Sequence, residues 1–158
     1  MNAQPERHLL ADAQATLALG RALAARLTPP CLLLLQGDLG AGKTCLVQGL
    51  AAGLGLHEAI TSPTFALAQH YAAQGATPLV HLDLYRLDHP AAAEELLAQE
   101  EEEALAQGAV LAVEWPERLQ HLPTESWTVK LELRDANHPE AGRLATITPP
   151  SAADAGRQ

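Results

Sequence analysis

Five apolar residues, Cys31 to Leu35, run into Gln36 and then into a glycine-rich stretch, Gly37 to Thr44, that reads G-D-L-G-A-G-K-T. A run this short and this continuously apolar has no polar face to turn toward water. It predicts a central strand over 31–36, covered on both sides. The stretch that follows satisfies every fixed position of G-x-x-x-x-G-K-T. A helix is expected from Lys43 to about Leu54, stopped by Gly53 and Gly55. Strand, glycine turn and helix in that order aim backbone N–H groups and the positive end of a helix dipole at one point, the geometry that receives phosphate. Asp38, Leu39, Gly40, Ala41, Gly42 and Cys45 build that cradle with Lys43 and Thr44. Lys43 is placed to reach the β- and γ-phosphates of a nucleoside triphosphate, and the Thr44 hydroxyl to hold Mg²⁺.

The rest of the chain supplies the sheet that such a turn needs. Asp12 to Leu27 reads as a first helix, with Asp12 as N-cap and Leu19, Leu23 and Leu27 on one face; Thr28-Pro29-Pro30 ends it. The loop Ile60-Thr61-Ser62-Pro63-Thr64 leads into an extended segment from Phe65 to about Tyr71, with Pro63 restricting the turn. Pro78 to Tyr85 predicts a strand, Pro90 to Gln107 an acidic helix closed by Gly108, and Ala109 to Glu114 a third apolar strand. Trp127 to Leu133 alternates in the β manner, and Arg143 to Thr148 predicts a last strand. Apolar strands alternating with helices define an α/β fold, here a P-loop NTPase-like three-layer sandwich with a mostly parallel central sheet. One domain over residues 1–148 is expected. The Pro-, Ala- and Gly-rich residues 149–158 are expected to form a disordered tail.

Two acids finish apolar strands. Asp83 follows Leu79-Val80-His81-Leu82, and Glu114 follows Val110-Leu111-Ala112-Val113. Ligands bind beyond the carboxyl ends of parallel strands, so both acids point to the same place as the glycine turn. One would organise the metal while the other orients or deprotonates water, and the residues alone do not say which. His81, inside its strand, reads as a packed or hydrogen-bonded histidine. Ser62 and Thr64 sit where a γ-phosphate-sensing loop would reach Mg²⁺, or where a plain proline turn uses hydroxyls locally. Trp115 follows Glu114 directly and would shield the metal site or pack on a partner, with Arg118 offering charge to phosphate or protein.

Composition narrows the partners. The formal net charge is −9, and Lys43 and Lys130 are the two lysines of the chain. A protein that grips nucleic acid by itself needs clustered cations, so neither DNA nor direct RNA binding is expected. Met1 to Leu10 has no signal-peptide core and nothing approaches a membrane span, so a cytosolic protein without a membrane partner is expected. Cys31 and Cys45 read as reduced, mostly buried thiols. Cys45, at a helix N-terminus, is the candidate for a lowered pKa and for oxidation that blocks the nucleotide. The seven histidines lack metal-site spacing and read as surface or loop residues. Glu100 to Glu103 reads as a solvated helix face.

G-D-L-G-A-G-K-T at 37–44, T-S-P-T-F at 61–65, H-L-D-L-Y-R-L at 81–87 and V-E-W-P-E-R-L at 113–119 together resemble the TsaE (YjeE) family, in order and spacing, from about Asp12 to Arg143. The resemblance implies a small bacterial P-loop ATPase required for threonylcarbamoyladenosine at position 37 of tRNA. It implies ATP and Mg²⁺ as cofactors, TsaB and TsaD as partners reset by ATP hydrolysis, and tRNA reached through that complex. It further implies that Lys43 and Thr44 bind phosphate and Mg²⁺, that Ser62 and Thr64 form a switch loop, and that Asp83 stands in the Walker-B-like place. Glu114 would be a metal or catalytic acid and Trp115 would border the nucleotide. The family's adenine pocket would draw on Ala13 to Leu17 and on Gly142-Arg143. Cys45 departs from the threonine common at that position.

Two other functions fit a phosphate loop. A small-molecule or nucleoside kinase needs an arginine-bearing lid, and after Glu114 the arginines at 118, 134, 143 and 157 form no cluster. A nucleotide-dependent binding switch would hold ATP without useful turnover. A GTPase is disfavoured because no Asn/Thr-Lys-x-Asp sequence is present.

Overall fold

A computed structural model describes residues 4–38, 40–61 and 67–151. Among these residues seven strands form one sheet: β1 (Glu6–Leu10), β2 (Cys31–Gln36), β3 (Ala68–Tyr71), β4 (Leu79–Asp83), β5 (Val110–Glu114), β6 (Trp127–Leu133) and β7 (Arg143–Thr148). Three α-helices accompany them among the described residues: α1 (Ala13–Arg26), α2 (Lys43–Gly53) and α3 (Pro90–Gln107). The strand order is β1-β7-β6-β2-β5-β4-β3. The four inner strands, β6, β2, β5 and β4, run parallel, and β7, β1 and β3 join antiparallel at the flanks.

The period of two divides each inner strand between two cores. Leu33 and Leu35 of β2, Val110 and Ala112 of β5 and Leu79 of β4 pack with α1 and α2. Leu32, Leu34, Leu111, Val113, Val80 and Leu82 pack with α3. This is the three-layer arrangement the alternation of elements predicts, and it explains why β2 and β5 are apolar at nearly every position.

Helix α1 begins at Asp12, whose Oδ1 accepts from the Ala15 N–H at 2.9 Å, the expected N-cap. It lies against α2 at a contact made possible by Gly20 and Gly49. A Cβ on Gly49 would stand 2.2 Å from the Leu17 carbonyl oxygen, and one on Gly20 would stand 2.4 Å from that of Leu46. The two backbones therefore touch, which fixes α2 against α1 and sets where the amino end of α2 points.

Several boundaries differ from the sequence expectation. The strand expected over Pro78 to Tyr85 covers Leu79–Asp83, because the Asp83 side chain accepts from the Tyr85 N–H at 2.9 Å and turns the chain there. Ala109 precedes β5 and instead donates to the Ala104 carbonyl, closing α3. Strand β1 had no sequence signature: Glu-Arg-His-Leu-Leu is a polar edge segment whose regularity comes from pairing with β7, Glu6 opposite Ile147 through Leu10 opposite Arg143. Glu100 is not part of a solvated face. It falls on the buried stripe of α3 with Ala93, Leu97 and Ala104, at helical spacings of three and four. His81, by contrast, is the packed histidine its place inside the strand predicts, fully buried within β4. Among the described residues no helix is long and apolar enough to cross a membrane.

Candidate nucleotide site

The glycine turn lies at the carboxyl end of β2, between β5 and β6, so both strand-end acids and the loop share one edge of the sheet. Gly42 caps α2 in the left-handed region at φ 106°, a conformation that frees the first N–H groups of the helix to face outward beside Lys43. In parallel register Asp83 stands opposite Glu114, and Glu114 opposite Leu35. Alternation then places His81, Asp83 and Glu114 on the α1/α2 face of the sheet, the face on which the loop turns into α2.

Lys43 is 5 % exposed, an unusual burial for an ammonium. Its Nζ donates to the Gly37 carbonyl at 2.6 Å and sits 3.9 Å from the centroid of the Trp115 ring. Burial pushes its pKa below the ordinary lysine value, against the opposing pull of Glu114, Glu117, Asp83 and Asp38. Trp115 reaches this position from a left-handed backbone, φ 60°, which a bulky side chain adopts only under constraint from its surroundings. Its ring also lies 4.8 Å from that of Tyr85, and the Arg118 guanidinium sits 5.4 Å over Tyr85. Arg118 is thus engaged with an aromatic ring at the border of the site.

The two acids differ in environment. Asp83 is half-buried; burial raises its pKa, the Tyr85 N–H opposes this, and nearby Glu114 raises it further while His81 and Lys43 lower it. Glu114 is 3 % exposed, and its Oε2 is 2.5 Å from His81 Nε2. His81 has the hydrogen bond expected of a polar residue inside an apolar strand, and its partner is the candidate catalytic acid. The signal for that pairing was the spacing of His81 two residues before Asp83, which puts both on one face of β4.

On the other side of the loop, Ala13, Thr16, Ala41, Gly42, Cys45 and Arg143 are among the residues lining a recess of about 300 Å³. Cys45 Sγ lies 3.5 Å from the Ala13 carbonyl oxygen. Arg143 Nη2 donates to the Gly40 carbonyl at 3.2 Å, and Nη1 to that of Pro139 at 2.7 Å, so the start of β7 is tied to the glycine turn. Cys45 is the reduced, packed thiol the sequence suggested, and the alternative of a pKa lowered by the helix end is not found. Burial raises it, and the half-buried sulfur is a packing group of the recess. Asp38 and Gly40 are exposed at the loop surface, and Thr44 is half-buried in the first turn of α2. Leu39, Ser62 and Thr64 lie outside the described residues. Another recess, of about 720 Å³, is lined by Pro30, Cys31, Leu105 and Ala109 among others, at the opposite ends of β2 and β5 from the loop.

The donor set can be tested against Mg²⁺ and a triphosphate. Two carboxylates and a hydroxyl at one sheet edge are hard oxygen donors of the type Mg²⁺ takes. A buried ammonium at a helix amino end, beside a glycine turn, is complementary to phosphate. The residues present fit both groups.

Comparison with known proteins agrees with this arrangement. The family model described as "Threonylcarbamoyl adenosine biosynthesis protein TsaE" matches residues 10–143. The chain is 43 % identical to the tRNA threonylcarbamoyladenosine biosynthesis protein TsaE of Nostoc over 92 % of its length and 87 % of the relative's. It is 46 % identical to the protein of the same description from Synechocystis, over 79 % of each chain. The crystal structure of Bacillus subtilis YdiB superposes with a TM-score of 0.70 at 27 % identity, covering 99 % of this chain and 93 % of that one. With the family match spanning both cores, the glycine turn and both strand-end acids, the chain belongs to the TsaE family of threonylcarbamoyladenosine biosynthesis proteins.

Proposed function

We propose that this protein is a Mg²⁺-dependent ATPase whose turnover resets a TsaB–TsaD complex during threonylcarbamoylation of adenosine 37 in tRNA, in the cytoplasm. The observation that carries the reading is Lys43: an ammonium buried at the amino end of α2, turned onto the Gly37 carbonyl and Trp115, with Asp83, Glu114, Glu117 and Asp38 as its electrostatic neighbours. A lysine in that position is held ready to exchange a carbonyl for phosphate oxygens, with a surplus of carboxylates left to balance a dication.

Bound Mg²⁺ would neutralise phosphate charge as it develops in the reaction. Thr44 and Asp83 are the residues to hold it, since Asp83 is half-exposed and keeps one carboxylate oxygen clear of the Tyr85 N–H. Glu114 is the acid to orient water and accept its proton at a carboxylate oxygen, because His81 fixes its position and burial shields it from bulk solvent. Trp115 covers Lys43 and excludes water from the ammonium. The recess between α1, α2 and Arg143 is the place for the base, with Ala13 and Cys45 at its wall. Ser62 and Thr64 are proposed to sense the γ-phosphate. The acidic surface suits a protein that signals its nucleotide state to other proteins and meets tRNA through them.

The test is phosphate release from ATP with and without TsaB and TsaD, with Lys43→Ala as control. Stimulation by the partners, abolished in Lys43→Ala, is the expected result. Absence of stimulation removes the reset mechanism, and transfer of the phosphate to an acceptor would instead identify a kinase.

A further inference from the structure

Edge strand β3 and helix α3 meet at three side chains that the nucleotide site does not use. His70 Nε2 lies 2.9 Å from Glu100 Oε2, and Glu103 stands one helical turn beyond Glu100 on the same side of α3. One ligand atom from each of the three residues lies within 4.8 Å of the others. We propose that His70, Glu100 and Glu103 form a binding site for a single dication of the zinc class that clamps β3 to α3.

Glu100 is the first reason. Its side chain is 9 % exposed, and its Oε2 is buried without an aligned hydrogen bond despite the nearness of His70. A carboxylate there is costly unless a cation compensates it. The second reason is the mixture of donors. Neutral imidazole with two carboxylates selects zinc, cobalt or nickel over Mg²⁺ or Ca²⁺, which prefer all-oxygen shells. The third is reach. Donor atoms about 2.1 Å from a common tetrahedral ion lie roughly 3.4 Å apart, so the His70–Glu100 pair, now 2.9 Å apart, opens slightly and the third donor closes by up to about 1.4 Å. Glu103 can supply that movement, being exposed and, among the described residues, otherwise engaged by Gln107 Nε2 alone, at 3.3 Å. The remaining coordination position would be water. Because β3 is hydrogen-bonded to β4, which ends in Asp83, a clamped β3 also braces the strand that carries a candidate metal acid of the nucleotide site.

The experiment is titration of the nucleotide-free, full-length protein with Zn²⁺ alone, followed by calorimetry for stoichiometry and by ¹⁵N spectra of the histidine rings. Binding of one equivalent in the micromolar range, a shift of the His70 Nε2 signal, and persistence under excess Mg²⁺ are expected. His70→Ala and Glu103→Gln alter exposed positions and so keep the fold; each should weaken binding by about tenfold or more, as loss of a ligand does. Asp83→Asn separates this site from the nucleotide site and should leave the affinity unchanged. Failure to bind Zn²⁺, unchanged affinity in His70→Ala, or loss of binding in Asp83→Asn would overturn the proposal.

Discussion

Gly49→Ala separates two effects of opposite sign. In an isolated helix alanine is favoured over glycine by about 1 kcal/mol, so propensity alone makes this substitution stabilising. Tertiary packing makes it destabilising. The new Cβ would lie 2.2 Å from the Leu17 carbonyl oxygen and 2.9 Å from Leu17 C and Cα, all backbone atoms that no rotamer change can move. Ordinary contact begins near 3.4 Å, so α1 and α2 must separate by more than 1 Å along a line where Leu23, Leu46 and Leu50 are all but fully buried. Overpacking of this kind costs roughly 1–3 kcal/mol, and the loss of contact between the helices belongs at the upper end of that range. After the propensity gain, a net destabilisation of about 2 kcal/mol is expected, or a fall in Tm of about 4–8 °C for a domain of this size. Urea titration measures it directly, with an unchanged slope showing that the folded state remains compact. Since α2 begins at Lys43, ATP affinity should fall as well. A variant as stable as the parent, or more so, would refute the close-contact argument and leave propensity as the governing term.

Three further outcomes follow from the structure. His81→Leu leaves the Glu114 carboxylate buried without its partner and should cost about 2 kcal/mol; in a cycle with Glu114→Gln the double variant should recover part of that loss, and additive effects would show that the two residues are not coupled. Cys31 is pushed up to about 11 from an ordinary 9.0 by burial, so the folded chain retains a thiol proton that the unfolded chain releases. Its contribution to stability is intact below pH 9.0 and is lost as pH rises toward about 11, and alkylation of Cys31, followed by peptide mapping, should accelerate across that window; a plateau reached by pH 9.0 would contradict the burial argument. With Trp127→Phe, Trp115 is the one remaining tryptophan, and ATP with Mg²⁺ should change its emission as Lys43 leaves the ring, whereas Lys43→Ala should abolish the response.

Local rules carried much of the fold. The unbroken apolar run at 31–35 required a covered central strand, Asp12 capped α1, and Pro90 with Gly108 bounded α3, because each depends on residues adjacent in the chain. Strand β1 escaped notice because its regularity is borrowed from β7, far away in sequence. Glu100 was misplaced because four consecutive glutamates look uniformly solvated, although a helix turns only some of them toward water. Cys45 is the half-buried thiol the sequence suggested, and the alternative of a pKa lowered by the helix end fails because dipole arguments are local, whereas desolvation depends on what packs around the sulfur.

The candidate site divides in the same way. The sequence by itself determined the glycine turn after β2 and the acids that end β4 and β5, since a turn's chemistry and a strand's end are properties of contiguous residues. Only the tertiary structure decided that Asp83 stands opposite Glu114, that His81 holds Glu114, and that the Trp115 ring covers Lys43. Those relations depend on strand order and register. Both are fixed by the packing of the whole sheet against α1, α2 and α3, where the burial of two cores outweighs any local preference.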